Sequence, residues 1–192
     1  MTTPRMEKSV LRATAQSARQ QLGVECRRAF SAVIVQRLTA MLAAEQAACL
    51  LTYRSMRSEV DTSALFSQPV VKLFAPLSHD HQHMEWRQVD ASTTWSRGVF
   101  GVYEPDFGGL WIPSAGRSIL ACPLVGFDRS GNRLGMGKGC FDYWLASNRG
   151  SIELLVGLAY GCQEVSAMVP EPHDIGMDYI ITENEVVQCQ ML

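Results

Sequence analysis

The 192-residue chain contains no C-x-x-C pair: Cys26, Cys49, Cys122, Cys140, Cys162 and Cys189 all stand singly. That spacing argues against a structural zinc site or a small disulfide scaffold and fits reduced thiols. Long apolar runs are missing too, since none reaches the roughly 20 residues needed to span a bilayer. Residues 1–8 are polar and hold no hydrophobic signal segment, so a cytoplasmic protein without membrane association is expected. Charge of one sign is also lacking. Seventeen basic against nineteen acidic residues leave a net −2, which excludes a generally basic nucleic-acid binder and confines any anion site to a local cluster. No internal repeat or linker-rich stretch divides the chain. With 47% hydrophobic residues, one globular domain over 1–192 is expected.

What is present is concentrated in residues 126–145, Gly-Phe-Asp-Arg-Ser-Gly-Asn-Arg-Leu-Gly-Met-Gly-Lys-Gly-Cys-Phe-Asp-Tyr-Trp-Leu. Gly135, Gly137 and Gly139 alternate with other residues and leave backbone N–H groups uncovered, while Arg133 and Lys138 bring positive charge. Residues 141–145 read as the first turn of a helix, whose positive dipole end would adjoin the loop. Loops of this composition bind phosphate. Asp142 is placed where a carboxylate can hold a metal against it. Neither standard nucleotide loop is matched. Five residues separate Gly131 from Gly137 where the P-loop has four, and Gly139 follows the lysine where Ser or Thr belongs. The bland alternative is a glycine-rich surface turn.

The surrounding pattern alternates helices and strands. Residues 5–22 form an amphipathic helix with Leu11, Ala15, Ala18 and Leu22 as its apolar stripe. Arg5, Lys8, Arg12 and Arg19 border that stripe, either as a solvated face or as a row reaching into a cleft. A second helix is expected over 25–43. Strands are expected at 47–52, 70–75 (ended by Pro76), 84–89, 118–122, 153–159, 179–182 and 186–188. Asp61 or Thr62 caps a short helix, leaving Glu59 free above the strand ends. His79, His81 and His83 read as an exposed turn, and residues 100–105 as a loop whose aromatic faces can sandwich a heterocycle. The result is a layered α/β fold with a mostly parallel sheet.

At 126–145 the chain closely resembles the 5-formyltetrahydrofolate cyclo-ligase (methenyltetrahydrofolate synthetase) family. The resemblance rests on Gly126-Phe127-Asp128, Gly131-Asn132-Arg133-Leu134-Gly135, and Gly137-Lys138-Gly139 through Asp142. Weaker matches follow in family order: Lys8 to Arg12, Ser58-Glu59-Val60-Asp61-Thr62, His83-Met84-Glu85, Gly101 to Glu104-Pro105, and Asp178 to Thr182. The resemblance implies a layered α/β/α fold of the NagB/RpiA/CoA-transferase type, acting as a monomer or weak dimer on small molecules. It implies ATP- and magnesium-dependent closure of 5-formyltetrahydrofolate to 5,10-methenyltetrahydrofolate. By the same resemblance Lys8, Arg12, Arg133, Leu134, Gly135, Met136, Gly137, Lys138 and Gly139 would bind ATP, with Arg133 and Lys138 catalytic. Arg54, Glu59, Phe100, Met136, Cys140 and Phe141 would line the folate pocket, and Asp142 and Asp178 would hold Mg2+.

Two positions depart from the family. Cys140-Phe141 stands where two aromatic residues are usual, which removes stacking surface worth about 0.5–1.5 kcal/mol. Ser118 stands where an aspartate often opens the strand. A diverged relative that binds folate or nucleotide without turnover, or acts on another formyl compound, is the alternative these departures raise.

Overall fold

The computed structural model describes residues 7–113 and 116–189. Arg5, the first member of the basic row, lies outside them. The chain opens with α1 (Lys8–Gln21) and α2 (Val24–Ala44), then strand β1 (Cys49–Leu51). The short helix α3 (Ser63–Ser67) precedes β2 (Lys72–Ser78) and β3 (Met84–Val89). A hairpin of β4 (Trp95–Arg97) and β5 (Tyr103–Pro105) follows, then β6 (Ser118–Pro123). A second small hairpin, β7 (Gly126–Phe127) and β8 (Arg133–Leu134), leads into α4 (Cys140–Asn148). Strands β9 (Leu154–Leu158), β10 (Tyr179–Ile181) and β11 (Val186–Gln188) complete the chain.

Seven strands form one sheet in the order β11-β10-β9-β6-β1-β2-β3. The four central pairings are parallel, and only the outer pairs β2–β3 and β10–β11 are antiparallel. The expected mostly parallel sheet is therefore present. Apolar runs without alternation explain why: each inner strand is buried on both faces. Successive residues feed opposite layers, with Leu50, Ile119, Ala121 and Val156 packing beneath Ile34, Leu38 and Leu42 of α2. Leu51, Leu120, Cys122 and Leu155 face the other way, towards Trp144 and Leu145 of α4. Each of the three α2 side chains is essentially fully buried, a gross stabilisation of about 1.5–3 kcal/mol apiece.

Two expectations are corrected. Pro76 does not end β2, which continues to Ser78 opposite Met84. The Phe74 carbonyl accepts from Thr52 N–H on the β1 side. Pro76 has the same parity, so its missing N–H faces a side where β1 has already stopped. Residues 100–105 are likewise not simply a loop, because Tyr103–Pro105 pairs with Trp95–Arg97. At α3 the nominal cap is Thr62, but Thr62 Oγ1 donates to the Tyr53 carbonyl and Asp61 Oδ1 accepts from Ser63 N–H instead.

The chain runs from β1 outward to β2 on one side and later returns to β6 on the other. The sheet therefore has a topological switch beside β1, where crevices open beyond the carboxyl ends of strands. Among the described residues no helix is long and apolar enough to cross a membrane.

Candidate active site

The cleft at that switch has a volume of about 690 Å³, within the usual range for a small-molecule site. Its floor comes from residues at three strand ends: Tyr53 and Arg54 just after β1, Pro76 and Ser78 in the last residues of β2, and Leu124 and Val125 just after β6. One wall is the stretch that dominates the sequence. There Asp128, which the sequence offers as part of a motif, is buried and organises the β7–β8 turn. Its carboxylate accepts from the backbone N–H groups of Ser130, Asn132 and Met168 and from the Asn132 amide. Asp128 is thus a structural residue that sets the direction of β8.

From β8, Arg133 enters the cleft with its side chain only 7% exposed and pairs through Nη2 with Asp142 Oδ1 at 2.5 Å. Its Nε is buried without a partner among the described residues. The loop then turns through Gly137 and Gly139, with φ of 85° and 72°, a left-handed backbone that favours glycine. Gly139 is the N-cap of α4, so the helix begins at Cys140, one residue earlier than expected. Lys138 is exposed on this loop and lines the cleft. Arg12 Nε donates to the Gly135 carbonyl at 2.9 Å and anchors the loop to α1. Lys8, one turn earlier, pairs with Asp174 at 2.5 Å and Glu171 at 3.3 Å. Burial pulls the Lys8 pKa down, but these two carboxylates carry it above its ordinary value.

The basic row of α1 therefore divides. Lys8 and Arg12 line the cleft, whereas Arg19 is buried and donates to the Leu124 carbonyl. Met136 and Gly137 are exposed in the loop, Leu134 is buried beneath it, and Cys140 and Phe141 are half-buried at its end. Burial pushes the Cys140 thiol up rather than down, which argues against a reactive thiolate. Phe141 meets Trp86 edge-on, with ring centroids 6.0 Å apart.

The opposite wall is formed by Arg54, Met56 and Glu59 after β1 and by the β4–β5 hairpin with Val99, Phe100 and Tyr103. Glu59 is buried, and its Oε2 accepts from Met56 N–H at 2.8 Å. Burial raises its pKa against the effect of that bond and of Arg19. Glu104, at the base of the hairpin, is also buried and faces the same cleft. Its Oε1 accepts from Ser78 N–H, while Oε2 has no partner among the described residues, and burial holds its pKa above the ordinary range. The cleft thus opposes a cationic, N–H-rich loop to an aromatic wall carrying two buried carboxyls. Such a pair of walls suits a polyanion on one side and a flat, hydrogen-bonding heterocycle on the other.

One expected site residue is not brought here. Asp178 lies at the amino end of β10, opposite the carboxyl ends of the strands where the cleft opens, and accepts two hydrogen bonds from Arg149 Nη2 and one from Leu155 N–H. Arg149 follows the far end of α4, seven residues and about 10 Å of helical rise from Asp142. Asp178 does not line the cleft that holds Asp142. A group that could hold a cation, and that the sequence reading did not single out, lines the cleft instead: Glu171, His173 and Asp174 offer donor atoms within 4.8 Å of one another. Only tertiary structure could reveal them, since Lys8 and Asp174 are 166 residues apart. Ser118, the other departure, is buried at the start of β6 and accepts from Trp111 Nε1, away from the cleft.

Comparison with known proteins agrees with the shape of this cleft's scaffold. The model of the 5-formyltetrahydrofolate cyclo-ligase family matches residues 4–183. A 5-formyltetrahydrofolate cyclo-ligase of Haemophilus influenzae is 30% identical over 148 residues, covering 74% of this chain and 79% of that one. The mouse 5-formyltetrahydrofolate cyclo-ligase is 24% identical over 192 residues, covering 91% and 92%. Among solved structures, the Aquifex aeolicus 5,10-methenyltetrahydrofolate synthetase superposes with a TM-score of 0.80 at 29% identity, covering 95% of this chain and 93% of that one. A fold match also extends to the Mycoplasma pneumoniae 5,10-methenyltetrahydrofolate synthetase, with TM-score 0.73, 21% identity, and coverage of 93% and 99%. The chain that places a glycine-rich cationic loop against two buried glutamates belongs to the 5-formyltetrahydrofolate cyclo-ligase family.

Proposed function

We propose that this cleft closes 5-formyltetrahydrofolate to 5,10-methenyltetrahydrofolate with the conversion of ATP to ADP and phosphate. The observation that carries the proposal is the opposition of the two walls in one continuous cavity lined by Lys8, Arg12, Arg133 and Lys138 and by Glu59, Phe100 and Phe141. The γ-phosphoryl group passes to the formyl oxygen as the bond to ADP breaks. The neighbouring folate amine then attacks the activated carbon, and phosphate leaves as the ring closes. No protein nucleophile is required, because phosphoryl transfer depends on positioning and charge neutralisation.

In this reading Lys138 and the N–H groups of the loop hold the phosphates, with Gly135 fixed by Arg12. Arg133 is held at the cleft by Asp142, so its guanidinium is aimed before substrate arrives. Glu59 accepts from the donor edge of the pterin, and Phe100 and Phe141 flank its ring. The cleft's hard oxygen donors suit magnesium, which binds through one or two carboxylates and substrate phosphates. Asp142 and the Glu171–Asp174 pair are the residues that would hold it, and bound there it would neutralise charge on the phosphates.

The test mixes protein, magnesium, ATP and 5-formyltetrahydrofolate and follows methenyltetrahydrofolate by absorbance. Product that requires all three small molecules is expected. Folate binding without product would overturn the enzymatic reading in favour of a binding protein.

A further inference from the structure

The loop between β1 and α3 carries Glu59 into the cleft, yet its crest is open to solvent, with Arg54, Met56 and Arg57 exposed. Within the loop, Met56 N–H donates to the Glu59 carboxylate, and Glu59 N–H donates back to the Met56 carbonyl at 3.0 Å. That reciprocal pair closes a turn of four residues. It sets the local shape of the loop but not its place over the cleft.

Two buried hydroxyls set that place. Tyr160 OH donates to the Glu59 carbonyl at 2.9 Å, and Asp61 N–H donates to Ser31 Oγ at 2.9 Å. The two hydroxyl oxygens are themselves 2.9 Å apart. A carbonyl can only accept, so the single Tyr160 proton is committed to Glu59. Ser31 must then donate to Tyr160, which leaves its lone pairs for Asp61 N–H. One directed chain therefore runs from Asp61 N–H through Ser31 and Tyr160 to the Glu59 carbonyl and clamps the loop on both sides of Val60. Ser31 is 3% and Tyr160 0% exposed, and in so dry a site each bond of such a chain polarises and strengthens the next. The chain is anchored at both members. Ser31 belongs to α2, while Tyr160 N–H donates to Gln163 Oε1, and the Gln163 amide donates to the Leu124 and Val125 carbonyls in the cleft floor. Buried Arg19 adds a positive charge that favours the ionised form of Glu59.

We propose that Tyr160, together with Ser31, is a positioning residue that holds the Glu59 carboxylate in register with the folate ring. Neither of the two lines the cleft, so both act through the backbone of the loop. A carboxylate that meets the edge of a flat ring must be held to within about 0.5 Å, and a loop with a solvated crest reaches that precision only when buried partners fix its backbone. The inference rests on the folate reading given above and adds what keeps the polar anchor of that ring in place.

The test measures equilibrium binding of 5-formyltetrahydrofolate and, separately, of ATP with magnesium, for the wild type, Tyr160→Phe, Glu59→Ala and the double variant. Tyr160→Phe keeps the ring against Phe30 and removes only the hydroxyl. It should weaken folate binding about five- to tenfold, the equivalent of one lost hydrogen bond, and leave ATP binding within about twofold. In the Glu59→Ala background the same change should cost less than about twofold, because the group it positions has gone. Ser31→Ala should act in the same direction and carries the test if Tyr160→Phe does not fold. Hydroxyls with a merely structural role would lower the melting temperature and leave folate affinity unchanged. That result, or an equal loss with and without Glu59, would overturn the positioning role while the folate reading stands. A wild type that binds no folate would remove the folate reading and this inference together.

Discussion

Asp142→Asn tests how the cationic wall is held. Arg133 carries a full charge with 7% of its side chain exposed, and Asp142, at 22%, is its counter-ion. The Nε of the same guanidinium is buried with no partner among the described residues, so little else there offsets its desolvation. Removing one member of a fully buried pair costs about 3–5 kcal/mol. Asp142 is partly solvated and asparagine retains an acceptor, which reduces the expected loss to about 1.5–3 kcal/mol. At about 2–4 °C per kcal/mol for a chain of this size, the melting temperature should fall by roughly 3–12 °C. Urea unfolding of the wild type, Asp142→Asn, Arg133→Gln and the double variant closes a thermodynamic cycle. The double variant should recover part of the loss, leaving a coupling energy of about 1–3 kcal/mol. Additive single effects, or an Asp142→Asn midpoint equal to that of the wild type, would refute the idea that this carboxylate holds Arg133 in place.

Two further outcomes probe the opposing walls. Lys138→Ala should raise the ATP concentration needed for half-maximal turnover about 10- to 100-fold, the equivalent of one lost charge-assisted contact. The folate requirement should move less than about twofold, and equal shifts in both would show that the lysine does not serve the phosphates. Glu104 tests pH dependence. Burial raises its folded-state pKa, so the folded chain binds that proton more tightly than the unfolded chain does. This contribution to stability is present at low pH and is lost as pH rises from the ordinary carboxylate range through the raised folded value. Glu104→Gln removes that loss, so the stability of the variant relative to wild type should increase with pH across this window. A difference that does not vary with pH would contradict the assignment.

The fold was legible because its signals are local. Uninterrupted apolar runs at Cys49–Leu51 and Ser118–Pro123 announce doubly covered strands, and period-four spacing in α1 and α2 announces their buried sides. The loop from Gly135 to Gly139 was legible for the same reason, since its special residues are neighbours in sequence. Pro76 misled because a proline forfeits only the bond on one side of a strand, and which side is free depends on the register of β1. Asp178 misled because its motif says nothing of strand direction: it precedes a parallel strand and so sits at the amino end of the sheet, where Arg149 holds it. Glu104, Glu171 and Asp174 carry no spacing signal of their own. Their place in the cleft follows from where the hairpin and the segment before β10 come to rest.

The joining of Lys8 to Asp174 has a consequence for synthesis on the ribosome. The glycine loop is made well before residue 174, yet its anchoring helix α1 remains without its distant acidic partner until the segment preceding β10 emerges. β10 itself must then add to β9 to hold that segment in place. A nascent chain halted after α4 would carry most of the residues of the cationic wall but not the contact that fixes Lys8 at its rim. Competence to bind the two proposed substrates should therefore appear late, as the segment before β10 emerges, and not in step with the sheet strands that form the floor.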